Sequence, residues 1–377
     1  MSRTPHRRLL IVGGGHAHIH VLRALRERPL DGVDVTFVHP HAFATYSGMV
    51  PGYIAGQYRL RQTQIDVREL AAAADAELVT GRATAIDAAA RRVRVDADAW
   101  LAYDVVSFDI GSQPAHPELV AADAPASMVK PIDVAAAAID AALAQPRPEH
   151  GRRLVVVGAG AGGTEVAFAL AARLAREGGG DVALVDRGEA PVMERGRHTS
   201  TIVARALAER GIRFLGAATV ESVDAAGVVA RDAYGTRHRL PAEWVVWATG
   251  AAAPALFRDS ALATDARGFL WVGADLRHEP HPEIFAAGDC ATLTTHPQLP
   301  KAGVYAVRQG VTLAHNLYAT LRGEALRTYE PQKRFLSILN LGDGTAVASY
   351  AGWAWHGRSA WRLKDFIDRR FVARYDG

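Results

Sequence analysis

Two glycine-rich turns of the same kind stand 145 residues apart in this chain. The first is Gly13-Gly14-Gly15-His16-Ala17-His18, directly after the apolar run Leu9-Leu10-Ile11-Val12. The second is Gly158-Ala159-Gly160-Ala161-Gly162-Gly163, directly after Leu154-Val155-Val156-Val157. Each reads as a buried strand, a tight turn and the start of a helix. That arrangement aims backbone N–H groups and the positive end of a helix at a pyrophosphate. Two such turns predict two dinucleotides facing each other, with electrons passing between them.

The turns differ in regularity. The second fits G-x-G-x-x-G at Gly158, Gly160 and Gly163, and Asp186 ends the next strand 28 residues after Gly158. A carboxylate there accepts hydrogen bonds from an adenosine ribose and repels a 2′-phosphate, which favours NADH over NADPH. Arg187 beside it works in the opposite sense. In the first turn Gly13 and Gly15 fit, but His18 stands at the third glycine position. The strand that follows ends in His39-Pro40 with no acid. Of His16, His18 and His20, residues two apart do not share a helical face and only His16 and His20 could, so histidines near a phosphate or packed in the core are expected and no metal site.

Other residues carry two readings each. Gly288-Asp289 ends an apolar strand; its carboxylate could hold a ribityl hydroxyl or simply close a turn. Glu165 lies in the first helical turn after the second glycine loop, where the helix dipole favours an acid. It could also reach the reacting rings. Lys301 could stabilise negative charge on a reduced ring system or be solvated. Cys290 is expected to pack as a small hydrophobe, although a helix start could activate it.

Composition narrows the class. The chain of 377 residues is 49% apolar and 22% charged with a formal charge of +3, ordinary for an enzyme and too weak for a nucleic-acid binder. Its single cysteine permits neither an intramolecular disulfide nor a Cys-x-x-Cys centre, and fits a cytoplasmic setting. Residues 1–8 read as a short basic arm and not as a signal peptide. The hydropathic stretch 154–175 carries Glu165 and several glycines, so it reads as strand, turn and helix and not as a membrane span.

The periodicity predicts strands over 9–12, 33–38, 77–86, 91–95, 105–110, 154–157, 182–185, 244–250 and 284–287. Helices are expected over 16–28, 64–74, 133–144 with Asp133 as N-cap, 163–176, 302–321 and 359–375. A hairpin is expected over 335–355 around Gly342-Asp343-Gly344. The fold class is α/β, with two Rossmann-like dinucleotide domains. Residues 1–117 and 266–330 would form a discontinuous FAD domain. Residues 118–265 would form an inserted NAD(P)H domain with a leading linker helix. Residues 331–377 would add a small hairpin and basic amphipathic helix, in which Leu363, Phe366, Ile367 and Phe371 share one side.

The ordered set of the first turn, Asp109-Ile110-Gly111-Ser112, the second turn, Ala248-Thr249-Gly250 and Phe285-Ala286-Ala287-Gly288-Asp289 resembles the FAD-dependent pyridine nucleotide-disulfide oxidoreductases. These include type II NADH dehydrogenases and sulfide:quinone oxidoreductases. Tyr46 to Gly52, Val129 to Asp133, Pro300 to Gln309 and Trp361 to Phe371 further resemble the flavoprotein domain fused to selenide, water dikinase in some bacteria, of which this chain would be a stand-alone version. The resemblance implies that Gly13, Gly15, His16 and Ala17 hold the FAD pyrophosphate. His39 with Pro40 would replace the ribose acid, and Arg82-Ala83 would lie by the adenine. Gly111, Gly288 and Asp289 would meet the ribityl chain, and Lys301, Ala302 and Gly303 the flavin pyrimidine edge. Gly158, Gly160, Gly163, Glu165, Asp186, Arg187, Thr249 and Gly250 would serve the nicotinamide dinucleotide.

Thr45 to Gly52 would line the flavin where disulfide reductases carry their cysteine pair. That pair is absent, which excludes disulfide reduction of that kind and argues against sulfide oxidation. Pro300 to Gln309 also departs from the quinone signature of type II dehydrogenases. The expected activity is hydride transfer from NADH through FAD to a small-molecule acceptor, with Glu165 and Lys301 as catalytic residues. Quinones, selenium or sulfur compounds, and a slow-turnover redox sensor all remain open. The apolar side of the basic tail, interrupted by Arg370, is expected to dock on the protein's own core; alternatively it could bring the chain to the inner face of a membrane.

Overall fold

The computed structural model describes residues 6–97, 99–149 and 151–375, without the side chain of Asp133. Most of the basic arm read over residues 1–8 lies outside them. The apolar run before the first glycine turn becomes strand Arg7–Val12, at the heart of a six-stranded sheet. Val33–His39 and Val105–Phe108 flank it in parallel, and Ala76–Thr80 extends one side. His281–Ala286 joins the other side in parallel, with Arg277–His278 antiparallel at the edge. Leu9 to Val12 are all buried, as a parallel strand covered on both faces requires. Helices His16–Glu27 and Gly303–Arg322 pack against each other beside this sheet.

A second sheet is threaded between strands of the first. Its five parallel strands run in the order Ala126–Met128, Trp244–Trp247, Arg152–Val157, Gly180–Val185 and Arg213–Leu215. Helix Ala161–Arg176 follows its glycine turn. The chain crosses between the sheets twice, and the crossings pair as a short antiparallel ladder, Gln113–Pro114 with Ala251–Ala252. The Trp247 indole and Thr249 hydroxyl both donate to the Ala115 carbonyl there, at 2.8 and 2.6 Å. This is the α/β, two-Rossmann architecture expected from the paired turns.

Local expectations needed four corrections. The predicted helix 64–74 begins later. Gln64–Asp66 pairs as a strand with Phe43–Thr45, and the Asp66 carboxylate caps helix Val67–Ala73 by accepting from the Arg68 and Glu69 amides at 3.0 and 3.4 Å. The predicted strand 77–86 breaks at Gly81-Arg82, so Ala76–Thr80 and Ala83–Asp87 serve different sheets. Helix Ile132–Ala144 has Pro131 as its N-cap residue and not Asp133, whose side chain is outside the described residues. The predicted hairpin at 335–355 is a three-stranded meander, Ser337–Asn340, Ala346–Tyr350 and Trp353–Gly357.

The last helix, Arg358–Ala373, also buries a different side from the one expected. Ala360, Lys364, Asp368 and Val372 face inward at four-residue steps. Phe366 and Ile367 point outward, at 62% and 40% exposure, while Phe371 is half-buried. The apolar stripe is therefore split between core and solvent. Among the described residues no helix is long and apolar enough to cross a membrane.

Candidate active site

The two turns occupy equivalent places in their sheets. Val12 pairs with Phe108, and Val157 pairs with Trp247, so the next residues, Asp109 and Ala248, are counterparts. Gly13 and Gly158 both have positive φ, +94° and +107°, and a Cβ on either would strike the carbonyl of that counterpart. A Cβ at Gly163 would strike the Gly158 carbonyl and approach Ala248, which explains the third glycine. His18 fills that position in the first turn without clash. Its ring pairs with the Gly13 carbonyl at 2.6 Å and the Ser107 hydroxyl at 2.8 Å, and burial lowers its pKa to about 4. It is a packed histidine.

The helix-end amides are used differently. In the second turn the Ala161, Gly162 and Gly163 amides make no hydrogen bond among the described residues. In the first turn the Gly15 amide donates to the Asp109 carbonyl, and the Ala17 and His18 amides donate to the Asp109 carboxylate at 2.8 and 3.3 Å. Only the Gly14 and His16 amides of that turn are left for a ligand. A Cβ at Gly15 would sit inside the Asp109 carboxyl group, so this glycine is required by Asp109. Both turns fit a pyrophosphate: each is a glycine cradle that a Cβ would fill, with backbone donors still unengaged.

Around the first turn, the His39 ring stacks on Phe37 at 5.7 Å and lies over Gly14. Pro40 follows it. Arg82 is exposed, its amide donating to Asp96 at 3.0 Å, and Ala83 opens the next strand. Gly111 has φ +69° and Gly288 φ +70°, and the Gly288 amide donates to Gln309 Oε1 at 2.7 Å. Asp289 is held by the Lys130 ammonium at 2.9 Å and by the Ser112 hydroxyl at 3.3 Å.

A cleft runs past Gly288, Asp289, Lys301, Ala302 and Gln309. Lys301 is not a solvated lysine. It donates to the Ala291 carbonyl and to the Thr292 hydroxyl and lies 4.1 Å from the Phe269 ring centre. Burial lowers its pKa to about 8. Gly303 starts the long helix with its backbone facing the His16 ring. Cys290 is fully buried, and burial raises its pKa to about 12, so it packs and does not react.

Near the second turn, Asp186 turns both oxygens onto backbone, accepting from the Ala159 and Gly188 amides at 2.6 Å each. It directly follows strand Gly180–Val185, and Arg187 beside it is exposed. Gly250 accepts from the Ala115 amide at 2.8 Å. Glu165 does not face solvent with the other helix-start groups. Its side chain is 12% exposed, accepts from the Asn340 amide at 2.8 Å, and stands 3.9 Å from Lys364.

Lys364 is the centre of a buried cluster that sequence reasoning missed. It pairs with Asp368 at 3.0 Å and donates to the Gly48 carbonyl at 2.9 Å, while the Tyr46 hydroxyl donates to Asp368 at 3.2 Å. Burial raises the pKa of Glu165 and of Asp368, with Lys364 opposing both. Burial acts downward on Lys364, but the two carboxylates outweigh it and its pKa rises. The Tyr46 ring stacks on Phe371 at 4.3 Å and meets the half-buried His16 edge-on at 5.5 Å. Desolvation lowers the pKa of His16, which lines a second cleft with Gly14, Thr45, Tyr46 and Phe371. The cluster thus links both glycine turns to the last helix. Its sequence signal was Lys364 and Asp368 four apart on the same stripe as Ala360 and Val372.

Comparison with known proteins agrees with this geometry. An NADH dehydrogenase-like protein of Mycobacterium tuberculosis is 29% identical over 75% of this chain and 72% of its own length. The type II NADH:quinone oxidoreductase of Staphylococcus aureus is 28% identical over 45% of this chain and 42% of its own. NDH2 from Plasmodium falciparum in complex with NADH shares the fold, with a TM-score of 0.84 at 15% identity over 98% of this chain and 97% of that one. Residues 7–315 match the family described as pyridine nucleotide-disulphide oxidoreductase; the chain belongs to that family, as an oxidoreductase whose cofactors are FAD and NADH and whose single cysteine rules out an intramolecular redox disulfide.

Proposed function

We propose that the chain oxidises NADH held at the second glycine turn and delivers the electrons, through FAD held at the first, to a quinone. FAD, when bound, accepts hydride from the nicotinamide and passes two electrons on. The observation that carries the quinone reading is the buried Glu165–Lys364–Asp368–Tyr46 cluster beside His16. Reducing a quinone to a quinol takes up two protons with the two electrons. A buried carboxyl whose pKa is raised by burial and opposed by a neighbouring ammonium keeps its proton to higher pH than a free one and can release it in step with charge. Glu165 is assigned that proton-carrying role.

The first turn, Gly13 to Ala17, is assigned to the FAD pyrophosphate, with the Gly14 and His16 amides as its donors because those of Gly15 and Ala17 are engaged by Asp109; His39, Pro40, Arg82 and Ala83 lie toward the adenosine. Gly111, Gly288 and Asp289 are assigned to the ribityl chain, and Lys301, Ala302 and Gly303 to the ring edge. Lys301, a cation in a half-buried site, would stabilise negative charge there. Gly158, Gly160, Gly163, Asp186, Arg187, Thr249 and Gly250 are assigned to NADH. The outward Phe366 and Ile367, with Arg362, Arg369 and Arg370 on the same helix, support peripheral contact with the inner face of an anionic membrane, where quinones reside.

The test is anaerobic. NADH should bleach the flavin band of the purified protein, and a short-chain quinone should restore it within the turnover time. Glu165→Gln should leave bleaching by NADH within about threefold and slow reoxidation by about 10²-fold, the scale of a lost general acid. Reoxidation by a selenium or sulfur compound but by no quinone would move the assignment to that acceptor, the one suggested by the resemblance to the selenide, water dikinase fusion. Bleaching with no turnover on any acceptor would make the chain a redox sensor.

A further inference from the structure

The two glycine turns differ at one buried position, and the difference has a chemical consequence. Ala248 follows the paired strand in the second sheet; Asp109 follows it in the first. The Asp109 side chain is buried, and its recorded hydrogen-bond donors are the Ala17 and His18 amides. Among the described residues no cation forms an ion pair with it. A Cβ on Gly15 would overlap its carboxyl, and one on Gly288 would lie 2.5 Å from its Oδ1. The carboxyl is therefore wedged between the first turn, its helix and the Gly288 turn. The two amides left for a ligand, Gly14 and His16, interleave with those engaged by Asp109.

A pyrophosphate carries two negative charges. One that takes the Gly14 and His16 amides sits on the same helix end as the Asp109 carboxylate, and both draw on the same positive end of the dipole. Two like charges in one buried place are relieved when one of them takes a proton. A pyrophosphate diester does not protonate near neutrality; a buried carboxyl does. We propose that Asp109 is a positioning residue for FAD that takes up one proton when FAD binds, so that the chain's hold on FAD weakens as pH rises.

The surroundings permit this. On the first helix beside Asp109, His18 is a packed ring whose pKa burial lowers to about 4, and desolvation lowers the pKa of the neighbouring His16 as well. From the Gly288 turn come Asp289, a like charge, and Cys290, whose thiol stays protonated. Lys130 is engaged by Asp289 and Ser112, and Lys301 by Ala291 and Thr292. Burial, with a smaller contribution from Asp289, already raises the Asp109 pKa to about 7 before any ligand charge is added.

The inference rests on the assignment of FAD to the first turn. The holoenzyme is diluted into buffers of equal ionic strength from pH 6 to 9, and released FAD is followed by its fluorescence. The wild-type dissociation constant should rise by up to about tenfold per pH unit above neutrality, the slope of one linked proton. Asp109→Asn, which keeps an oxygen for the two amides, should flatten the profile to within about twofold, and so should Asp109→Ala, which restores the residue of the second turn. A flat wild-type profile, or an Asp109→Asn profile as steep as the wild type, overturns the linkage and leaves the FAD assignment standing. Should neither variant fold, a weakly buffered solution with a pH indicator settles it on the wild type. At pH 8 close to one proton should leave with each FAD, and none leaving overturns the proposal. A protein that holds no FAD overturns both.

Discussion

Asp186 contributes to the second turn through its backbone contacts as well as through the ribose role assigned to it. Its two oxygens tie the Ala159 amide of the glycine loop to the Gly188 amide of the next turn. Asp186→Ala leaves those donors without their partner, which costs about 1–3 kcal/mol per buried group. The Michaelis constant for NADH should therefore rise at least tenfold, while FAD content stays as in the wild type. Lys301 predicts a pH effect of definite sign. Its pKa is about 8 in the fold against 10.5 for the free side chain, so between those values the unfolded chain binds more protons. Stability contributed by this residue should rise with pH across that window. Urea midpoints at pH 7.5 and 9.5 should show the rise in the wild type and a smaller one in Lys301→Met.

The last helix shows why a stripe read from sequence can select the wrong side. Leu363, Phe366, Ile367 and Phe371 lie close enough on a helix to suggest one apolar side, yet the buried stripe is Ala360, Lys364, Asp368 and Val372. Burying that stripe is favourable because Lys364 meets Glu165, Asp368 and the Gly48 carbonyl. Those partners lie far away in sequence: Lys364 and Gly48 are 316 residues apart. Removing the lysine alone strands two buried carboxylates. Lys364→Ala should cost about 3–5 kcal/mol in urea unfolding, with part of it recovered in Lys364→Met/Asp368→Leu. The glycine turns and their strands were legible because each is encoded within a few consecutive residues. Asp109, Lys130 and Lys364 lie inside longer motifs but carry no local signal of their own, because their roles come from contacts between distant segments.

For the molecule as a whole, strand registers make the two sheets counterparts, with one α/β layout used twice and a small meander-and-helix unit beside them. The exposed Phe366 and Ile367 lie on that unit, as does Trp353 at 80% exposure. Vesicle flotation should bring the wild type up with anionic lipid, and Phe366→Ser/Ile367→Ser should stay at the bottom with unchanged NADH oxidation. If the wild type also stays at the bottom, the peripheral membrane assignment falls while the redox one stands.

The paired crossing between the sheets bears on how these halves can move. Were the two connecting segments independent threads, the halves could swing apart about either of them. Laddered as Gln113–Pro114 on Ala251–Ala252, and pinned by Trp247 and Thr249 on one carbonyl, they behave as a single narrow ribbon. A ribbon of that kind resists opening and sliding but yields to torsion. Torsion about the ribbon is opposed in turn by Glu165 against Lys364 and by helix Val50–Ile54 packed on helix Ala161–Arg176, so the bridge and these contacts together hold the two sheets in one arrangement.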